Sequence, residues 1–179
     1  MNPSVAAVSH EGIEASEWVI RWAPELPKRA EVLDVACGRG RHSRHLAALG
    51  CRVTAVDREP RASAWLADLP DVNVVISDLE ADPWPFTARM FDGIVVTNYL
   101  HRPLFAQLLA ALGSDGLLIY ETFAAGNERF GRPSNPDFLL RRGELLEVAR
   151  GSLHVIGYED VLTDRPQPAM VQRLCARRL

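Results

Sequence analysis

Short apolar runs alternate with amphipathic stretches along most of this chain, and the alternation predicts its elements. Val32–Val35 is a buried strand that runs into Ala36-Cys37-Gly38-Arg39-Gly40, a small-residue and glycine turn, after which a helical pattern starts at once (His42 to Leu49, closed by Gly50). Further strands are expected at Arg52–Val56, Val72–Ser77, Phe91–Thr97 and Leu117–Phe123. Helices are expected from Pro60 to Leu69 and from Leu104 to Leu112. An N-terminal helix is expected over Glu11–Trp22, capped by Ser9, with Ile13, Trp18, Val19 and Trp22 on one face; its tryptophans either pack or close over a ligand. A helix over Gly143–Arg150 precedes two long β-patterned runs, Leu153–Leu162 and Ala169–Ala176, which suit an antiparallel pair.

Strand–helix alternation of this kind gives a doubly wound, mainly parallel sheet with helices on both faces, here of seven strands with an antiparallel C-terminal hairpin. Residues 1–179 are expected to form one domain, with residues 1–30 as N-terminal helix and connector. Ligands of such sheets bind beyond the C-terminal strand ends. The residues expected there are Asp34–Gly40, Asp57, Asp78-Leu79, Asn98–Arg102 and Glu121 onward.

Composition narrows the class only a little. Apolar residues make up 47% and charged residues 24%, ordinary for a globular protein, and a net charge of −3 gives no general attraction to nucleic acid or anionic membrane. Three cysteines are too few for a disulfide framework, which fits a reducing cytoplasm. No apolar run reaches membrane-spanning length.

The glycine turn carries the chemistry. Gly38 and Gly40 permit backbone conformations closed to other residues, and the helix behind them offers free N–H groups. Asp57, ending the second strand, can accept both hydroxyls of a ribose. A nucleoside-containing ligand follows. The dinucleotide fingerprint requires a third glycine where Ser43 stands, and the Asp34 carboxylate suits an ammonium or sulfonium better than a pyrophosphate. A nucleotide-dependent oxidoreductase is therefore the weaker reading.

Val-Leu-Asp-Val-Ala-Cys-Gly-Arg-Gly (32–40) resembles the glycine-rich first motif of class I S-adenosylmethionine-dependent methyltransferases. Asp57, Asp78-Leu79, Phe91–Val96 and the closing hairpin follow in that family's order. The segment Gly131–Leu140 resembles small enzymes of the tellurite-resistance type. The resemblance implies S-adenosyl-L-methionine as cofactor and S-adenosyl-L-homocysteine as product. It implies Gly38 and Gly40 against the methionyl part, Asp34 near its amino group, Asp57 on the ribose and Asp78 with Leu79 at the adenine; Ala36, Cys37, Arg58 and Asn98 complete the cofactor set.

Methyl transfer from a sulfonium needs mainly alignment and exclusion of water. His101, Tyr99 and Glu121 follow strands four and five, where an acceptor sits. His101 either takes a proton near neutral pH or caps the next helix; Glu121 either serves the acceptor or anchors a lid through Arg129 or Arg132. The polar segment 124–137 is expected to be that lid, its Arg129, Arg132 and Asn135 either binding an anionic acceptor or forming a solvated loop. The expected acceptor is a small thiol, chalcogen oxyanion or hydroxyl compound. Asn98-Tyr99-Leu100-His101 lacks the Asn-Pro-Pro-Tyr type signature of nucleobase amino methylation. A cofactor-binding protein acting on RNA or protein, or a module without turnover, is the alternative, with Arg173, Arg177 and Arg178 leaving room for RNA. Cys37, His42 and His45 lack a fourth ligand at a recognised spacing, so no metal is expected. Assembly is expected as a monomer or homodimer.

Overall fold

A computed structural model describes residues 14–179. Its strands are β1 (Glu31–Val35), β2 (Arg52–Asp57), β3 (Val72–Ile76), β4 (Phe91–Thr97), β5 (Leu112–Phe123), β6 (Leu153–Thr163) and β7 (Ala169–Arg178). The helices are α1 (Glu17–Trp22), α2 (Arg41–Ala48), α3 (Ala62–Trp65), α4 (Phe105–Ala111) and α5 (Glu144–Ala149). The strands form one sheet in the order β3-β2-β1-β4-β5-β7-β6, parallel through β5 and antiparallel at β7 and β6. The expected doubly wound architecture is present, hairpin included.

Strand alternation divides the core. Leu33, Val35, Ile94, Val96, Leu118 and Tyr120 point to one face and pack with Leu108 of α4 and Leu145 of α5. Val32, Val53, Val95, Leu117 and Ile119 point to the other, against Trp18 and Val19 of α1 and Leu46 of α2. Both faces of the central strands are dry, which is why their sequences read as continuous apolar runs rather than alternating ones.

Several elements differ from expectation. Within the described residues α1 spans only Glu17–Trp22, and its cap is Ser16, whose hydroxyl accepts the Val19 N–H at 3.1 Å. The expected helix start at Glu11, its Ile13 and the Ser9 cap lie outside the described residues. Trp18 packs, being almost fully buried with its indole N–H donating to the Leu174 carbonyl at 3.1 Å, and Trp22 meets it edge-on. The helix expected over Pro60–Leu69 shrinks to the single turn of α3, followed by turns to Asp71. β5 starts at Leu112, because the Gly113–Gly116 stretch continues the strand as an irregularity between the pairs Phe91–Leu112 and Gly93–Leu117. Gly113 therefore does not end a helix into a loop.

Candidate active site

The site grows from the end of β1. Three residues within five positions take left-handed conformations: Ala36 (φ 53°), Gly38 (φ 55°) and Gly40 (φ 77°). The Cys37 N–H donates to the Val56 carbonyl at 3.0 Å and the Gly40 N–H to the Cys37 carbonyl at 2.9 Å, so the turn is tied to β2 and closed on itself before α2 begins. The two glycines serve different needs. A Cβ on Gly38 would point into open space, whereas one on Gly40 would strike the Leu66 side chain. Gly38 leaves room beside the turn, while Gly40 lets it pack against the end of α3.

Asp57 braces this turn. One carboxylate oxygen accepts the Gly38 N–H at 2.7 Å and the other the Glu59 N–H at 2.9 Å. Each oxygen has a further lone pair, so the group can still receive hydroxyl donors. Asp78 likewise accepts the Glu80 N–H at 3.0 Å, while its own N–H donates to Asp82 at 2.8 Å, which fixes the turn after β3.

A cleft runs over the C-terminal strand ends in three adjoining sections. The first, about 530 Å³, lies between Asp57, Arg58, Pro60, Ile76 and Asp78. The second, about 170 Å³, adds Ala36, Leu79, Glu80 and Tyr99. The third, about 260 Å³, lies between Glu80, Asn98, Tyr99, Leu100, Thr122, Phe123, Pro133 and Phe138. Of the residues singled out in the sequence, Ala36, Asp57, Arg58, Asp78, Leu79 and Tyr99 meet along the first two sections; Asn98, expected on the cofactor, lines the third.

Others lie elsewhere. Asp34 shares the α2 face of β1 and is fully buried, receiving the Ser43 hydroxyl at 2.5 Å. Burial pushes its carboxyl up to about 7 against the lowering effect of the two Ser43 hydrogen bonds. Ser43 thus stands where a dinucleotide site needs glycine because Asp34 requires its hydroxyl. Cys37 packs with Ala55, Ala62 and Leu66, and burial raises its thiol. His42 is buried; its Nε2 accepts the Ser16 N–H at 3.2 Å, which leaves Nδ1 to donate to the Thr97 hydroxyl at 3.1 Å. Burial lowers its pKa to about 3, with Arg41 nearby adding to the effect. Among the described residues no group of three or more His, Cys, Asp or Glu side chains is arranged for a metal.

The expected acceptor-side residues separate as well. Tyr99 lines the cleft, and burial raises its phenol, helped by the charges of Glu80 and Asp78. His101 precedes a 3-10 turn over Arg102–Leu104 and does not line the cleft. Glu121 points to the α1 face of β5, because strand alternation sends Tyr120 and Thr122 the other way; its carboxylate pairs with Arg173 of β7 at 2.5 Å, not with Arg129 or Arg132. In the 124–137 segment, Asn127 is buried and ties Pro133 (2.9 Å) to Met170 (3.2 Å). Arg129 lies over Phe130, Arg132 is exposed, and Asn135 caps a short turn by accepting the Asp137 N–H at 3.0 Å. Pro133 and Phe138 of this region are the ones that reach the cleft. Glu80 and Phe138 were not singled out in the sequence, Glu80 beside Asp78 being the available signal; Phe123 falls in the stretch expected from Glu121 onward.

A methyltransferase-domain family model matches residues 32–116, which run from the glycine turn through β4 into β5. Over that span, a little under half of the chain, the sequence is similar to methyltransferase domains. The matched span contains every residue of the first two cleft sections. Among solved structures, TehB from Haemophilus influenzae superposes with a TM-score of 0.77 at 19% identity, covering 92% of this chain and 63% of that one. A TehB-like methyltransferase from Corynebacterium glutamicum superposes at 0.69 with 22% identity, covering 96% and 92%. Both likenesses are of fold. A curated relative, ribosomal RNA small subunit methyltransferase J of Chromobacterium violaceum, is 51% identical over 49 residues, which is 27% of this chain and 18% of that protein. The chain thus spans less than a fifth of that relative.

Proposed function

We propose that this chain is a methyltransferase that binds S-adenosylmethionine across the first two cleft sections and transfers its methyl group to a small molecule in the third. The observation that carries the reading is the Asp57–Gly38 bond at 2.7 Å, which joins an acid at the end of β2 to the glycine turn along one cleft. In this reading Asp57 receives the ribose hydroxyls through its remaining lone pairs, and Leu79 and Asp78 face the adenine. The methionyl part lies by Gly38, where a side chain would otherwise occupy open space. Asp34 acts from behind the turn rather than by contact, since it is buried against Ser43. The cofactor supplies an activated methyl; the chain supplies alignment, by the rigid ends of β1, β2 and β4, and cover, by the segment carrying Pro133 and Phe138. Residues 14–179 act here as one catalytic unit.

A small acceptor fits the modest third section. Its lining offers no arginine, which weighs against the oxyanion acceptors expected from Arg129 and Arg132. Among the described residues no helix is long and apolar enough to cross a membrane.

The test is calorimetric titration with S-adenosylhomocysteine and, in parallel, NADH. Micromolar binding of the first alone is expected. Absence of S-adenosylhomocysteine binding, or tighter binding of NADH, overturns the reading.

A further inference from the structure

The second and third cleft sections meet at Glu80 and Tyr99, which line both. Beyond this pair the third section is lined by Leu100, Phe123, Pro133 and Phe138. Its ionisable lining is one carboxylate and one phenol, amid aromatic and aliphatic surface. Arg58 lines the first two sections and not the third. Thr122 and Asn98 supply the remaining polar groups.

We propose that the third section takes a small arylalkylamine, held as its ammonium between the Glu80 carboxylate and the rings of Tyr99, Phe123 and Phe138. This rests on the cofactor reading above. An oxyanion, a carboxylate or a thiolate would bring negative charge to a lining that holds Glu80 and no cation, where like charge repels. An ammonium meets the opposite situation. The carboxylate attracts it, and ring faces carry negative charge toward it. The Tyr99 phenol stays protonated through the physiological range, because burial and the neighbouring carboxylates raise it, so it serves as a hydrogen-bond partner rather than a competing nucleophile.

The chemistry balances without a further reactant. One ammonium proton leaves to solvent past Glu80, which is exposed. The freed nitrogen lone pair forms the N–C bond to the methyl carbon as the C–S bond breaks. That electron pair goes to sulfur, giving a neutral thioether, and the positive charge passes to the methylated nitrogen.

The experiment loads the full chain with S-adenosylhomocysteine and titrates it with phenethylammonium and with phenylacetate, which share a ring and differ in charge. Phenethylammonium is expected to bind about three- to tenfold more tightly, and Glu80→Gln is expected to reduce the preference to the part that the rings supply. Equal or tighter binding of phenylacetate, binding of neither, or a preference unchanged in Glu80→Gln overturns the proposal. With S-adenosylmethionine, mass spectrometry is expected to find N-methylated phenethylamine; methylation of 2-phenylethanethiol in its place also overturns it. Failure of S-adenosylhomocysteine to bind is seen before either probe is added, and rejects the cofactor reading together with the amine that depends on it.

Discussion

At the scale of single residues the cleft depends on carboxylates held in different states. Asp57 is anchored by two backbone N–H groups and faces the cleft. Asp57→Ala removes those braces and the acceptors proposed for the ribose, and each lost charge-assisted bond is worth about 1.5–3 kcal/mol. Calorimetry of the folded variant should show S-adenosylhomocysteine binding weakened by about tenfold or more; unchanged affinity would remove Asp57 from the site. Asp34 and His42 make opposite contributions to stability against pH. Between 3.8 and about 7 the folded chain keeps a proton on Asp34 that the unfolded chain has released, so this group's stabilisation is lost as pH rises through that window. Between about 3 and 6.5 the unfolded chain binds a proton at His42 that the folded chain excludes, so stability is lost as pH falls. Urea unfolding across the shared window should show Asp34→Asn gaining stability with pH more steeply than the parent, and His42→Gln less steeply. Identical slopes in all three proteins would contradict both assignments.

At the scale of elements, the cover over the third section is fastened from below. Arg102 donates to both Glu144 oxygens at 2.7 and 2.9 Å, to the Asp137 carbonyl at 2.7 Å and to the Leu139 carbonyl at 2.9 Å. Burial works against the Glu144 charge, yet the bonds from Arg102 and Arg141 hold its carboxyl down to about 2. One guanidinium thereby fixes the carbonyls on either side of Phe138, which lines the cleft. A lysine cannot span four acceptors in two directions. Arg102→Lys should speed limited proteolysis within residues 124–141 while β1 to β4 remain protected; an unchanged cleavage pattern would show that the segment is held without Arg102. Nothing in the local pattern around His101-Arg102-Pro103 pointed to this, because the partners lie on α5 and on the segment after β5. Local signals did better where an element is defined by its own chain. The C-terminal boundary of β4 at Thr97 was legible because the apolar run Ile94–Val96 passes into polar Thr97-Asn98. The α3 helix was not, because its length depends on Ala62 and Leu66 packing beneath the glycine turn.

At the scale of the whole molecule, stability is graded along the sheet. β1 and β4 lie inside it, buried on both faces. β3 is an edge strand with half-buried residues, backed by the single turn of α3. Native-state hydrogen exchange should therefore find β1 and β4 opening only with global unfolding, and β3 opening at lower free energy. S-adenosylhomocysteine should slow exchange most around residues 76–80, where β3 meets the cleft; equal slowing across all strands would mean that the ligand acts on global stability alone.

The sequence by itself determined the strand–helix alternation, the glycine turn after β1, the acids at the ends of β2 and β3, and the antiparallel close of the sheet. Each is written in contiguous residues: β-branched runs, glycine where positive φ is needed, a turn between two long strands. Only the tertiary structure decided which side chains face the cleft. Asp34 and Glu121 have the right positions in the chain and point away from it, toward Ser43 and Arg173, because a strand sends successive side chains to opposite faces and burial then demands a partner on the face each one meets. Glu80, Phe123 and Phe138 come together from three separate elements, and no pattern within any one of them records the other two.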